Sequence, residues 1–282
     1  IGYKALFLNT TAGANTAVGL EALQSNTTAA NNTAIGRGTL QNNTTGTGNS
    51  AVGYESINAN STGSYNTAVG QTALEKNTTA DSNTAFGTSA LRNTTTGANN
   101  TSVGRNSLLA NTTGAENTAV GMFAGENNTT GNNLVAVGYE ALKSNTTGAG
   151  NVGVGQSALY TNTTGVNNTA VGYGALDAST TANNNTAVGY AALTSNTSGT
   201  ANDAFGMNTL DATTTGYGNA AFGGDAGGSH TTGILNTYIG VNAGNSATTG
   251  ANNTLVGQSA GSTIVSGGSN ICVGRASDCA HS

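Results

Sequence analysis

Asp225, Ser229 and His230 fall within six residues of one another. They are an acid, a hydroxyl and an imidazole, the groups a hydrolase uses as orienter, nucleophile and base. Neighbours on one turn cannot reach the relay geometry without a scaffold that brings them in from different elements, so they read as solvated loop residues. His281 is the other histidine, and neither has a second ligand at metal-binding spacing. Gly150, Gly153 and Gly155 match a dinucleotide fingerprint only loosely, and no helix follows them. A calcium-binding β-roll needs an Asp in every turn, which 12 acidic residues cannot supply. The cluster of acids and Arg that a polysaccharide lyase would carry is missing too. No catalytic, cofactor-binding or metal-binding residue is therefore assigned: the chain is expected to be no enzyme and to need no cofactor. Cys272 and Cys279, seven residues apart, are the two cysteines, and an intrachain disulfide closing the end of the chain is reasonable in an oxidising setting.

The elements that would position any such group are written as one sentence, repeated. Glycine recurs from Gly2 through Gly19, Gly36 and Gly53 to Gly274, always 17 residues apart and without an insertion. Val, Ile or Phe precedes each of these glycines. Asn stands four residues before them, Leu134 being the one departure, and Leu stands four residues after most of them. The consensus is N-T-A-V-G-Y-x-A-L-x-x-N-T-T-G-x-x. With 43 Gly, no Pro and abundant Ser, Thr and Asn, composition alone would suggest low complexity, but the period overrules it.

A repeat this short is too small for a helical hairpin, so it is β. N-T-A-V-G-Y alternates over a strand length, A-L-x-x is a second short strand, and N-T-T-G is a turn. The spacing predicts an all-β fold, a parallel β-solenoid with 17 residues per coil and about 16 coils, as one repeat domain over 1–282. Counterparts in successive coils lie roughly 4.8 Å apart, so each alignment row becomes a ladder and the whole a rod of roughly 75 to 80 Å. An inserted residue would turn later side chains to the wrong face, which accounts for the strict period.

Two apolar rows are expected to fill the core. One is Val18, Ile35, Val52, Val69, Phe86, Val103, Val120, Val137, Val154, Val171 and Val188; the other is Leu23, Leu40, Leu74, Leu91, Leu142, Leu159, Leu176 and Leu193. Ala17, Ala34, Ala170 and the repeated Gly would then form a flat outer face. Asn15, Asn32, Asn49, Asn66, Asn83, Asn100, Asn117, Asn151, Asn168 and Asn185 are candidates for a stacked amide ladder. The turn asparagines Asn9, Asn26 and Asn43 are candidates too, with turn geometry the equal alternative. Two or three buried apolar side chains per coil leave a single chain marginal, so copies of the chain are expected to cover the Ala/Gly face. Residues 224–282 diverge: Gly replaces Leu at Gly227, Gly244 and Gly261, as at Gly125 upstream, and Ile234, Leu235, Tyr238, Ile264 and Val265 are apolar at new places. The cross-section is expected to shift there.

The pattern resembles the repeats of bacterial trimeric autotransporter adhesin heads and, more closely, those of phage tail fibres and related surface proteins that end in a self-cleaving intramolecular chaperone. The resemblance covers nearly the whole chain and implies a left-handed β-roll in a homotrimer. No coiled-coil stalk, membrane anchor or chaperone domain accompanies the repeats, which leaves the choice between these families open. The chain opens inside a repeat and without Met, so it reads as a piece of a longer or processed polypeptide.

A net charge of −5 gives no basic patch, so nucleic acid is not an expected partner, and no apolar run suits a membrane helix. The functional expectation is a passive extracellular element on a cell or virion surface: a fibre or adhesin segment, self-associating, that spaces or adheres to a host or surface receptor. The alternatives are a subunit of an end-to-end filament, and a receptor- or ice-binding solenoid using the outward Thr row of Thr10, Thr27, Thr44, Thr78, Thr112 and Thr146. Adjacent Thr residues in N-T-T point to different sides, which weighs against ice. Asn9, Asn26, Asn60, Asn111 and Asn145 are formal glycosylation sequons, reachable only if they lie outside the turn.

Overall fold

The computed structural model describes residues 1–279; His281 lies outside them. The chain is a parallel β-solenoid, and among the described residues it contains no helix. It divides into two compact units, one of Ile1–Glu140 with Ser144–Thr147 and the other of Ala141–Lys143 with Gly148–Ser282. The first holds eight three-residue strands, from β1 (Thr16–Val18) to β8 (Val135–Val137); the second holds eight more, from β9 (Val152–Val154) to β16 (Ile271–Val273). Within each unit consecutive strands pair in parallel with a register of 17 residues: Thr16 faces Thr33, Val52 faces Val69, and Val171 faces Val188.

The strands are short because each is bounded by two residues that cannot extend it. Before it stands the asparagine, whose side chain turns inward. After it stands the repeated glycine, held at φ between 127° and 143°. The glycine's backbone lies against the carbonyl of the glycine in the next coil; a Cβ on Gly87 would come 2.6 Å from the Gly104 oxygen. Three further corners take left-handed backbone, as at Ser82 (φ 59°), Ser89 (φ 58°) and Leu91 (φ 51°).

The alternation along each strand runs opposite to the expected one. Asn is in, Thr is out, Ala is in, and Val, Ile or Phe is out. Ala34, Ala51, Ala68 and Ala85 are wholly buried, whereas Ile35, Val52 and Phe86 are exposed. The row of Val18, Ile35, Val52, Val69, Phe86, Val103, Val120, Val137, Val154, Val171 and Val188 is therefore no core ladder, and the Ala row is no outer face. The cause is steric and polar together. The buried asparagine sets the phase of the alternation, and the interior already holds the Leu row, a second Ala row (Ala22, Ala73, Ala90) and two rows of amides. An Ala-sized gap is all that remains under the strand.

Leu23, Leu40, Leu74, Leu91, Leu142, Leu159, Leu176 and Leu193 are fully buried. In the last coils the large side chain moves to the other row. Where Gly227, Gly244 and Gly261 replace Leu, Tyr238 and Leu255 replace Ala and fill the space from the strand side. A Cβ on Gly227 would lie 2.7 Å from both Leu210 Cδ2 and Tyr238 Cδ2, and one on Gly261 would lie 2.6 Å from Leu255 Cδ1. Tyr238→Ala is expected to cost about 3–5 kcal/mol through the cavity it leaves. Adding Gly227→Leu, which restores the upstream pattern, is expected to regain at least half of that in urea unfolding; no regain would show that the two rows do not share one space.

Candidate functional site

The outward side of each strand presents two parallel rows. In the first unit they are Thr16, Thr33, Ser50, Thr67, Thr84, Thr101, Thr118 and Val135 beside the Val/Ile/Phe row. All of the first row is exposed or half-buried, as is the second. The face carries no charge in the first unit, and Asp203 is the single charged strand residue of the second. Beyond the glycine the next row is mixed: Tyr54, Met122, Tyr139, Tyr173, Tyr190 and Met207 are large and exposed, and Arg37, Gln71, Thr88 and Arg105 stand among them. Rings stack from coil to coil: Tyr173 on Tyr190 with centroids 5.4 Å apart, and Phe205 on Phe222 at 4.8 Å. Arg37 lies over the Tyr54 ring and Arg105 over Phe123.

The Thr row first considered for binding is committed elsewhere. The Thr10 hydroxyl donates to the carbonyl of Thr27, Thr27 to that of Thr44, Thr78 to that of Thr95 and Thr112 to that of Thr129, at 3.0–3.2 Å. These hydroxyls hold coils together. In contrast, the hydroxyls of Thr67, Thr84, Thr101 and Thr118 on the strand face bond to nothing among the described residues.

Both asparagine rows are ladders, and the turn row is also a turn device. In the strand row, Asn83 Nδ2 donates to the Gly97 carbonyl across the coil at 2.9 Å, while its Oδ1 accepts from Asn100 N at 2.9 Å and Asn100 Nδ2 at 3.1 Å. In the turn row, Asn60 Nδ2 donates to Asn43 Oδ1 at 2.7 Å and to the Gly63 carbonyl three residues on at 2.8 Å. Asn77 Oδ1 is left buried without a partner where Thr94 takes the next place in that row. Burial is complete at Asn26, Asn60, Asn111 and Asn145, so these sequons are out of reach in the folded chain.

His230 is not a solvated loop residue. It occupies the turn-asparagine row and is fully buried. Its ring nitrogens face Thr213 and Asn236, not Ser229 or Asp225. Ser229 is exposed, and Asp225 Oδ1 accepts from Asn208 Nδ2 at 3.3 Å. Asp225, Ser229 and His230 are thus not brought together. Burial also pushes the Asp177 and Asp211 carboxyls above their ordinary range. Cys272 is bonded to Cys279. Cys272 takes the place of the inward Ala, so the bridge ties the last strand to the segment seven residues on. Among the described residues no group of three or more His, Cys, Asp or Glu could hold a metal ion, and no helix is long and apolar enough to cross a membrane.

Sequence reasoning missed the strand face and the buried histidine. Each had a signal. The Ala row admits only Ala, Ser and Gly over its first thirteen strands, whereas the row beside it admits Val, Ile and Phe alike. Tolerance of size marks the side that is not packed. His230 lies 17 residues after Thr213 and 34 after Asn196, which places it in the turn row by count alone. No known protein-family model matches this chain, and no curated protein sequence matches it either.

Proposed function

We propose that the chain is a structural, non-catalytic segment of an extracellular fibre or surface adhesin, and that copies of it associate through the outward strand face. One observation carries this reading: the exposed and half-buried row of Val, Ile and Phe on the strand face of the first unit, a face whose strands carry no charge. Exposed contiguous apolar surface of this kind marks an interaction site. Five residues by one coil cover roughly 80 Å², and eight coils roughly 600 Å², close to what each partner contributes to a stable interface. A second copy is the natural occupant because it repeats with the same axial spacing, so every coil meets an equivalent coil. The homotrimer implied by the adhesin and tail-fibre resemblance is the assembly that fits this use.

Sedimentation equilibrium tests it. The chain is expected to run as an oligomer, and Val52→Lys with Val103→Lys is expected to give folded monomers with unchanged far-UV circular dichroism. Both positions are exposed, so their substitution leaves each coil's interior intact. A wild-type chain that is monomeric at micromolar concentration would overturn the self-association.

A second reading is favoured by the unbonded Thr hydroxyls on the same face. Rows of Thr and Val, roughly 4.8 Å apart along the solenoid and 6.6 Å across it, form a flat array that could order water and bind ice. It requires the face to be free, so a monomer with thermal hysteresis lost on Thr67→Lys and Thr101→Lys would select it.

A further inference from the structure

The turn-asparagine row changes character in the second unit, where Asn196 is followed by Thr213 and then by His230. The imidazole fills an amide's place. Its Nδ1 lies 3.1 Å from Thr213 Oγ1 and its Nε2 lies 3.3 Å from Asn236 Nδ2. The Asn236 amide cannot turn over to suit it. Its Nδ2 donates to Asn219 Oδ1 at 3.0 Å and to the Gly250 carbonyl at 2.8 Å, and its Oδ1 accepts from Asn253 N at 2.9 Å and Nδ2 at 3.0 Å. Reversal would break four bonds of the strand ladder.

Both Nδ2 protons of Asn236 are already given, and an amide nitrogen accepts none, so Nε2 meets no acceptor there and keeps its lone pair, which leaves the proton on Nδ1 for Thr213. A second proton on Nε2 would set N–H against N–H in a site without water access. The other surroundings offer no relief. Tyr238 meets the ring edge-on with centroids 5.9 Å apart, and Gly216 packs so close that a Cβ there would lie 2.9 Å from Cε1. Tyr238 is the titratable group in contact with the ring, and burial raises its pKa, so it stays neutral and cannot balance a cation. No carboxylate shifts the imidazole; burial is the cause that acts on it.

We propose that His230 is a pH-sensitive latch: Thr213 and the strand-row asparagine ladder close around a neutral imidazole, and protonation of Nε2 opens the coils from about residue 213 to 253. The direction follows from linkage. Burial lowers the His230 pKa from 6.5 to about 4. The opened state takes up the proton first, so closure is complete above about pH 6.5, weakens as pH falls, and levels off below about pH 4. Across that window the closing equilibrium is expected to fall by roughly 300-fold, the ratio set by the shift.

Hydrogen exchange of the full chain, corrected for intrinsic rates, reads this directly in peptides covering residues 227–240. Wild type is expected to lose protection steeply between pH 6.5 and pH 4, while His230→Asn, which restores the residue most common in the row, is expected to hold it. Parallel loss in both proteins would overturn the latch. A direct proton-resonance titration of the wild-type imidazole guards against a variant that fails to fold: a midpoint at or above 6.5 would overturn the proposal by itself.

Discussion

Gly87→Ala is expected to abolish the folded state of the first unit at 25 °C. Gly87 sits at φ 138°, and an added Cβ would lie 2.6 Å from the Gly104 oxygen and 2.7 Å from its carbonyl carbon. Both are backbone atoms. The next coil cannot draw back, because Gly104 N donates to Phe86 O at 2.8 Å and the neighbouring strand β5 (Thr84–Phe86) is paired on both sides. Strained backbone and a clash with fixed atoms add, so the loss is expected to exceed about 4 kcal/mol, the range reserved for a few severe mechanisms. Gly13 is the control. A Cβ there meets nothing within 4 Å, and Gly13→Ala is expected to change stability by less than about 0.5 kcal/mol. Thermal and urea unfolding followed by circular dichroism would compare them, and a Gly87→Ala protein melting within a few degrees of wild type would show that the coils are not packed glycine on glycine.

Asn83→Ala has the second largest expected effect, about 3–5 kcal/mol. The side chain makes one bond across the coil and accepts two from the next coil. Truncation leaves the Gly97 carbonyl and the Asn100 N–H buried without partners, and an orphaned buried group costs about 1–3 kcal/mol. Asn83→Leu is expected to be as damaging because it orphans the same two groups, while the residue's own N–H keeps its bond, as the Leu134 N–H does in donating to Asn117 Oδ1 at 2.9 Å. Thr84→Ala, one residue on but facing outward, is expected to stay within about 0.5 kcal/mol. Equal small effects at both positions in urea unfolding would remove the amide ladder from the account.

What could be read beforehand was whatever depends on count, and what could not was whatever depends on facing. The interval from Gly2 to Gly274 leads to parallel, in-register strands because a constant period permits no other stacking. The Leu row follows as well, since a large side chain at every turn of a narrow coil has nowhere else to go. The facing of T-A-V does not follow from apolarity. Val is the larger hydrophobe, yet Asn66 beside it in the coil is buried by its bond to the Ala80 carbonyl, and alternation then turns Ala68 in and Val69 out. Polar satisfaction set the phase, and hydrophobicity followed it. The exchange of Gly244 for Leu and Tyr238 for Ala is visible in sequence as two separate oddities, and becomes one substitution of volume only when both side chains are seen to share a space. His230 was hidden by the habit of reading a histidine beside Asp225 and Ser229 as chemistry, when its row assigns it to the interior.

The stacking itself is tested most directly by spin-label distances within the first unit, using Thr16 paired in turn with Thr67, Thr101 and Thr118, the labelled chain diluted with unlabelled protein. These outward positions are three, five and six coils apart. The separations are expected to rise in step with coil number, by about 4.8 Å per coil, to roughly 14, 24 and 29 Å with narrow distributions. Broad distributions, or distances that do not order with coil number, would contradict a chain in which residues 17 apart lie over one another.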